Sequence, residues 1–521
     1  MITKNIFKTM ASDGYLLGYD VGSSFVKASL LDSASRIVIG SASSPEQGME
    51  ILSPKPGWAE QHPSSWWDNV KKVTAILKEK SGVNLHDVRA IGISYQMHGL
   101  VIVDKNYQVL RPAIIWRDTR ADDIGERAFN SLGEQTCFHR LLNSPDNFTA
   151  SKLKWVMDRE PDIYRRINKF MLPGDYIGMM MTGEILTTPS GLSEMILWDY
   201  LEDKIADFVL RHFGISQELM PQVVPNFYDQ GVLTEKAAVE LGLKPRTKVT
   251  YRAGDQPNSS FSLNVLRPGE AAVAANTTSV IFGVTDKATA DSQSRVNTFL
   301  HVNHTKNKPR YGVLLYINGG SILNSWLKRN VVTFGSDTLT YSQMNKLAEL
   351  IPAGSEGLVI FPYGNGAERT LDNRTVGAAM CNLDFTIHGK AHILRAAQEG
   401  IVFALKHGLE IVSGMGLEVK AIKASSSGMF LSPIFCEALS TVMNVPVTLY
   451  NTDGAQGAAR GAGVDVGIYE SVEDAFIGLT TVKVIEPNLK KRETYLEAYL
   501  KWHNYLKMFL DKGDHAENVF L

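Results

Sequence analysis

A strand, a short polar turn and a second strand occur twice in this chain, and that repetition constrains the fold more than any other feature. The first copy spans residues 15–32, where apolar β-forming residues flank a turn at residues 20–24. The second copy spans residues 271–284, around a turn at residues 276–279. The two copies agree in architecture rather than in letters. They predict two α/β halves that each begin with a strand hairpin.

Helical spacing of apolar residues, or a run of glycine and alanine, predicts helices that accompany these strands. They are expected at residues 64–80, 391–413, 455–468 and 490–511. Ser65 with Asp68 has the spacing of a capping box for the first helix. Ser432 followed by Pro433 has the pattern of a capped helix start.

The length of the chain sets the number of domains to expect. Its 521 residues leave room for two or three domains of about 100–200 residues each. No low-complexity linker separates the two halves. We therefore expect an N-terminal domain over residues 14–258, a C-terminal domain over residues 259–489 and a helical tail over residues 490–521.

Composition excludes several classes of function. The 53 basic and 55 acidic residues give a net charge of −2, so no global field draws the chain to nucleic acid or to a membrane surface. The cysteines, Cys137, Cys381 and Cys436, are widely spaced and predict neither a disulfide framework nor a zinc site. The chain has no apolar run long enough to span a membrane, and residues 1–16 lack the apolar core of a signal peptide. A cytoplasmic location is the expectation.

The first polar turn has the residues of a phosphate site. Gly22 lets a phosphate approach the backbone closely, and Ser23 and Ser24 add hydroxyl groups beside it. Asp20, at the end of the preceding strand, could hold a Mg²⁺ ion through water, since Mg²⁺ keeps most of its waters in proteins. Taken alone, an ordinary hairpin turn accounts for the same letters.

A second aspartate follows a strand-like segment near the middle of the chain. Asp255 lies between Gly254 and Pro257, after the apolar residues 249–251. An aspartate in such a position is often only a turn former. It also suits a general base, because phosphoryl transfer needs a carboxylate within reach of the attacking hydroxyl.

Further polar segments follow predicted strands in both halves. In the first half Met97, His98 and Gly99 follow one strand and Asp118 follows another, which suits recognition of sugar hydroxyls at the carboxyl ends of strands. In the second half Asn276, Thr277 and Thr278 lie in the second turn, where hydroxyls and amides could face a phosphate of ATP, and Gly428 lies in a small-residue loop that could receive the nucleobase. Taken alone, a lone histidine or a polar turn of this kind is more often structural.

The order of these motifs resembles the FGGY family of carbohydrate kinases, within the actin-like ATPase superfamily. The matching segments are residues 18–24, 57–61, 97–99, 116–120, 152–155, 172–176, 254–256, 368–370 and 392–400. The resemblance implies two ribonuclease-H-like α/β domains around a deep cleft, with the sugar mostly on the N-terminal domain and ATP on the C-terminal one. It implies an ATP-dependent carbohydrate kinase with ATP and Mg²⁺ as cofactors, and it allows a homodimer.

The resemblance also assigns roles to individual residues. Asp255 corresponds to the catalytic base, and Asp20 corresponds to the aspartate that holds Mg²⁺, through water. The sugar-side residues it implies are Met97, His98, Gly99, Asp118 and Gln256. The ATP and phosphate residues it implies are Gly22, Ser23, Ser24, Asn276, Thr277, Thr278 and Gly428. The residues 97–99 and 116–120 are most similar to those of kinases that convert D-xylulose to D-xylulose 5-phosphate, so we expect transfer to the primary hydroxyl of a ketopentose.

The chain departs from the family pattern at its nucleotide side. The second turn reads Asn276-Thr-Thr-Ser279 where the family has Gly-Thr-Ser-Gly, and the adenine loop reads Ser425-Ser-Ser-Gly428 where the family has a run of glycines. Gln256 stands where many D-xylulose kinases have Asn. Two alternatives therefore stay open: a kinase of the same family for another ketose, polyol or sugar acid, and a catalytically weak sensor of sugar or nucleotide.

Overall fold

The structure is a computed structural model that describes residues 14–334 and 337–516. The expectation about a signal peptide falls mainly on residues 1–13, and the end of the predicted tail is residues 517–521; both lie outside the described residues. Up to Asn264 the strands are β1 (Tyr15–Val21), β2 (Val26–Asp32), β3 (Val38–Ser44), β4 (Glu60–Gln61), β5 (Val88–Tyr95), β6 (Val101–Val103), β7 (Ala113–Ile114), β8 (Lys169–Met171), β9 (Leu186–Thr187), β10 (Trp198–Asp199), β11 (Lys204–Ile205), β12 (Gln222–Val223) and β13 (Lys248–Gly254).

The helices of the same part of the chain are α1 (Pro63–Ser81), α2 (Asp122–Leu132), α3 (Glu134–Thr136), α4 (Thr149–Arg159), α5 (Pro161–Tyr164), α6 (Pro173–Thr182), α7 (Pro189–Glu194), α8 (Asp207–Phe213), α9 (Glu235–Leu241) and α10 (Asp255–Ser262). Beyond Asn264 the strands are β14 (Glu270–Ala275), β15 (Ser279–Thr285), β16 (Asn297–Leu300), β17 (Tyr311–Ile317), β18 (Thr333–Phe334), β19 (Asp337–Thr338), β20 (Val359–Phe361), β21 (Ala379–Cys381), β22 (Ala421–Ser425), β23 (Val447–Tyr450) and β24 (Thr481–Ile485). The helices there are α11 (Ile322–Asn330), α12 (Tyr341–Glu349), α13 (Lys390–Gly414), α14 (Pro433–Met443), α15 (Gly454–Asp465) and α16 (Arg492–Ala516).

The described residues form two compact units. The first consists of the chain up to Asn264 together with Phe299–Tyr311 and Thr452–Leu479, and the second consists of Val265–Thr298, Gly312–Asn451 and the chain from Thr480 onward. The first unit therefore also takes in a late segment that contains α15. The domain boundaries at residues 258 and 489 stay predictions, since they describe contiguous stretches of sequence rather than packing.

The sheet of the first unit has the strand order β13-β5-β1-β2-β3. β1 and β2 form the antiparallel hairpin that the sequence predicted, and β5 and β13 continue the sheet parallel to β1. Helix α15 lies directly against β1 and β5, where glycines allow close approach. A Cβ added at Gly18 or at Gly92 would lie 1.9 Å from a carbonyl oxygen of that helix.

The sheet of the second unit repeats this topology. β14 and β15 form an antiparallel hairpin, β22 lies parallel to β14, and β23 lies parallel to β22. Six of its strands lie in the order β17-β15-β14-β22-β23-β24. The predicted two-domain α/β fold is thus confirmed. No helix of the described part of the chain is long and apolar enough to cross a membrane.

Two local predictions were wrong in detail. Helix α1 begins after His62 with Pro63 in its first turn, and no side chain caps it. Ser65 instead donates its hydroxyl hydrogen to the His62 carbonyl at 2.7 Å, because the proline places the helix start earlier than the capping-box spacing suggests. Asp255 was expected in a turn, but it is the first residue of α10, with Gly254 as the capping residue.

Candidate active site

Asp20 lies at the end of β1, half-buried beside the start of helix α15. Its Oδ1 accepts a hydrogen bond from the Ser94 hydroxyl at 2.8 Å. A Cβ added at Gly454, the first residue of α15, would lie 2.5 Å from Asp20 Oδ2, so only glycine fits there. Burial raises the pKa of Asp20, and the carboxylate of Asp453 adds to the rise. The Asp20 carboxylate therefore lies close to the N-terminus of α15, where negative charge is stabilised.

The turn after Asp20 is closed by its own backbone. The Gly22 amide donates to the Phe25 carbonyl at 3.0 Å. The Ser23 hydroxyl accepts from the Trp116 indole at 3.3 Å, while the Ser24 side chain is exposed. The role of Gly22, Ser23 and Ser24 toward a phosphate stays a prediction.

Asp255 is the second carboxylate of this site and begins helix α10. Its side chain accepts hydrogen bonds from the backbone and the side chain of Gln256. Burial raises the pKa of Asp255 to about 7, and the negative charge of Asp20 contributes to that rise. A carboxyl group with a pKa near neutral can accept a proton and release it again at physiological pH, which is what general base catalysis requires.

Glu194, at the end of helix α7, lies directly beneath the start of α10. Its side chain is fully buried, and its Oε1 accepts a hydrogen bond from the Gly254 amide at 3.2 Å. A Cβ added at Gly254 would lie 2.2 Å from that oxygen and 2.7 Å from Met97 Cγ. Burial raises the pKa of Glu194 well above its usual value, and the charge of Asp255 raises it further. The surroundings of Glu194 therefore favour its protonated form.

The residues that follow β5 form the other wall of the site. His98 has a left-handed backbone, with φ 58°, which is uncommon for a residue other than glycine. Its Nδ1 is 2.9 Å from the main-chain oxygen of Glu194. Its ring lies against Phe148 and Phe299, at 4.9 and 5.4 Å between ring centroids. The His98 ring is thus held on three sides.

Lys152 of helix α4 supports the same turn from below. Its side chain is fully buried and its Nζ donates to the His98 carbonyl at 2.8 Å. Burial lowers the pKa of Lys152 to about 7, although the carboxylates of Asp118 and Asp122 oppose the change. A buried ammonium group needs such partners, since an unpaired one is expensive.

Asp118 lies inside a network of the protein's own groups, and its charge also acts on Lys152. Its Oδ2 accepts from the Ala59 amide and from Arg120, both at 2.6 Å, and the residue is fully buried. Arg120 in turn stacks on the Trp58 ring, with 3.8 Å from its central carbon to the ring centroid. Its role toward a sugar stays a prediction. Gln256, by contrast, touches Asp255 and stands at the site.

In the second unit the predicted nucleotide residues come together. Asn276 and Thr277 are exposed at the β14–β15 turn, and Thr278 is half-buried. Gly428 has φ 57°, and a Cβ added there would lie 2.5 Å from Asn276 Oδ1. The Ile322 amide donates to the Thr277 carbonyl at 2.9 Å and fixes the turn from behind. The absent turn glycines therefore leave the hairpin formed, with Thr277 available to a ligand.

Sequence reasoning missed Glu194 entirely and named Lys152 only as part of a family motif. Glu194 carries no spacing signal, because it lies in a short helix and meets Asp255 only through tertiary packing. The glycine at position 254 was the one available clue, since a glycine before a functional residue often marks close approach of another group.

The donor set fits a magnesium ion held by one protein carboxylate. Among residues 14–334 and 337–516 no group of three or more His, Cys, Asp and Glu side chains is placed to enclose a metal. Mg²⁺ commonly binds through one or two carboxylates, water and substrate phosphates, so Asp20 alone suffices as the protein anchor.

Comparisons with known proteins identify the family of the chain. Models of the FGGY family of carbohydrate kinases match the chain, the N-terminal domain at residues 15–262 and the C-terminal domain at residues 271–465. The xylulose kinase of Bacillus subtilis (strain 168) is 29% identical over 499 residues, covering 95% of this chain and 97% of that protein. A crystal structure described as a xyloylose kinase from Brucella ovis is 27% identical with a TM-score of 0.84, covering 94% of this chain and 98% of that one. The gluconate kinase of Lactobacillus acidophilus has the same fold, with a TM-score of 0.85 at 22% identity, and covers 95% of this chain and 98% of its own.

Proposed function

The chain belongs to the FGGY family of carbohydrate kinases, which are ATP-dependent sugar kinases, and we propose that its sugar is D-xylulose and its general base Asp255. The main support for Asp255 as the base is its position at the start of α10, where burial and the charge of Asp20 raise its pKa to about 7. D-xylulose as the sugar is supported by the xylulose kinase of Bacillus subtilis, similar over nearly its full length.

The proposed reaction is an in-line phosphoryl transfer. The oxygen of the 5-hydroxyl forms a bond to the γ-phosphorus of ATP, the bond between that phosphorus and the bridging oxygen breaks, and ADP leaves. Asp255 accepts the hydroxyl proton as the new bond forms. The helix start at Asp255 orients the carboxylate, because the Gln256 amide holds one of its oxygens.

The remaining site residues would bind and orient the reactants. Met97 and His98 would face the sugar, with Gln256 beside the base. In the second unit Thr277, Asn276 and Gly428 would receive the phosphates of ATP. Asp20 would hold Mg²⁺ through water, next to Ser94, and the ion would neutralise charge on the β- and γ-phosphates.

A panel of acceptors tests the substrate. Purified protein is given ATP and Mg²⁺ with D-xylulose, L-xylulose, D-ribulose, L-ribulose, glycerol or gluconate, and ADP release is followed by a coupled assay. We expect the highest kcat/KM with D-xylulose. Higher kcat/KM with another acceptor would reassign the substrate within the family. Binding of a sugar by calorimetry, without turnover of any acceptor, would favour a sensor. A cytoplasmic location stays a prediction from the sequence, and a homodimer stays one from the family resemblance.

A further inference from the structure

Glu194 contacts two segments of the proposed sugar site, the start of α10 and the turn after β5. The sequence predicted no role for it. Its Oε1 accepts the Gly254 amide hydrogen at 3.2 Å, immediately before the base Asp255. Its main-chain oxygen is 2.9 Å from His98 Nδ1. The residue is fully buried, so no solvent replaces these contacts. One residue at the end of α7 thus joins the start of α10 to the turn that follows β5.

We propose that Glu194 is a positioning residue, whose carboxyl group fixes Gly254 under the catalytic base while its main-chain carbonyl fixes the ring of His98. The proposal rests on the role of Asp255 given above. It assigns Glu194 no contact with substrate, because both of its carboxyl oxygens are enclosed by protein. Oε2 is buried as well, next to the Tyr95 hydroxyl.

The absence of a side chain at Gly254 allows Glu194 to lie this close to the backbone. A Cβ at Gly254 would lie 2.2 Å from Glu194 Oε1, which is too short for a contact between non-bonded atoms. The carboxyl group of Glu194 therefore packs directly against the backbone of Gly254. Movement of Glu194 would be transmitted to the helix start, and so to the orientation of the Asp255 carboxylate.

The surroundings of Glu194 favour its neutral form. Burial raises the pKa of Glu194 well above its usual value, and the carboxylates of Asp255 and Asp175 raise it further. The other titratable groups that face it are Tyr95 and Tyr200, and Arg252 lies behind Tyr95 and Asp175. In its neutral form Glu194 adds no second negative charge beside the base.

The variants Glu194→Gln and Glu194→Ala separate position from charge. Glutamine keeps an acceptor oxygen and is neutral, so we expect kcat within about threefold of wild type and an unchanged acid limb of the pH profile. Alanine leaves the Gly254 amide without its partner, and we expect kcat to fall by about tenfold or more. The exposed Glu202→Gln serves as the matched control and should behave as wild type.

Two outcomes would overturn the proposal. Loss of turnover in Glu194→Gln equal to that in Glu194→Ala would show that an ionised carboxylate is needed. Wild-type kcat and pH profile in a folded Glu194→Ala protein would show that the contact does not position the base. Should Glu194→Ala not fold, the glutamine variant and the two measurements below still decide the matter.

Two readouts do not depend on kinase activity. A protonated-carboxyl infrared band at pH 7, present in wild type and lost in Glu194→Gln, would confirm the neutral group, and its absence from wild type would contradict it. Hydrogen exchange at the Gly254 amide should be slow in both wild type and Glu194→Gln; fast exchange in wild type would refute the contact. A wild type that phosphorylates no acceptor would refute the proposed function while these readouts still test Glu194.

Discussion

The pH dependence of turnover follows directly from the environment of Asp255. The base must be ionised to accept a proton, and its pKa is raised from 3.8 to about 7 by burial and by Asp20. At pH 8 about nine-tenths of the free enzyme then has the ionised base, and at pH 6 about one-tenth has it. We therefore expect kcat/KM to be about tenfold higher at pH 8 than at pH 6, with the slope of a single proton.

The assay is kcat/KM for D-xylulose, measured by ADP release with ATP and Mg²⁺ from pH 5.5 to 8.5. Direct addition of ADP at each pH controls for the coupling enzymes. Rates that do not change between pH 6 and pH 8, or that rise as pH falls, would refute the assignment of a base with a raised pKa.

The same shift affects stability with a definite sign. A carboxyl whose pKa is higher in the folded protein than in the unfolded chain stabilises the fold below its unfolded pKa, and that contribution is lost as pH rises through about 7. Asp255→Asn stays neutral at every pH. We expect its Tm to exceed that of wild type by a larger margin at pH 8 than at pH 5, and an equal difference at both pH values would contradict the linkage.

Further perturbations separate the parts of the site. Lys152→Met removes the donor to the His98 carbonyl and should raise KM for the sugar by about tenfold while KM for ATP stays constant; equal changes in both would argue against a role in holding His98. Gly92→Ala should cost about 1–3 kcal/mol in the free energy of unfolding by denaturant, because its Cβ would lie 1.9 Å from a backbone oxygen of α15. Gly414→Ala, at the end of α13 with nothing within 4 Å of its Cβ, should cost little. Gly428→Ala forces a side chain into a left-handed backbone beside the second turn and should raise KM for ATP but not for the sugar; a change in KM for the sugar alone would refute its assignment to the nucleotide side.

The fold was predictable because its signals are local. Alternating apolar residues marked β1 with β2 and β14 with β15, and a polar turn separated each pair. Apolar residues at helical spacing predicted α13, and Ser432 followed by Pro433 predicted the start of α14. The return of α15 to the first unit was not predictable, because its glycines indicate only that a close partner exists, not which sheet supplies it.

The site was predictable only in part, for the same reason. Asp20 lies at the end of a strand and Asp255 directly follows one, and both placements could be predicted from the sequence. The effect of the Asp20 charge on the pKa of Asp255 could not be predicted, because residues far apart in the chain meet only after folding. Glu194 is the clearest case: its place in a short helix does not indicate contact with the Gly254 amide, and its raised pKa arises from burial that no sequence pattern reports.

The central claim is that Asp255 removes the proton from the attacking hydroxyl, and one measurement tests it most directly. Asp255→Asn and the exposed control Asp123→Asn are compared with wild type for kcat with D-xylulose and ATP, and for sugar and ATP affinity by calorimetry. The account predicts a loss of about 10²–10⁴-fold in kcat for Asp255→Asn alone, with both affinities kept within a few-fold. Turnover in Asp255→Asn close to that of wild type would contradict it.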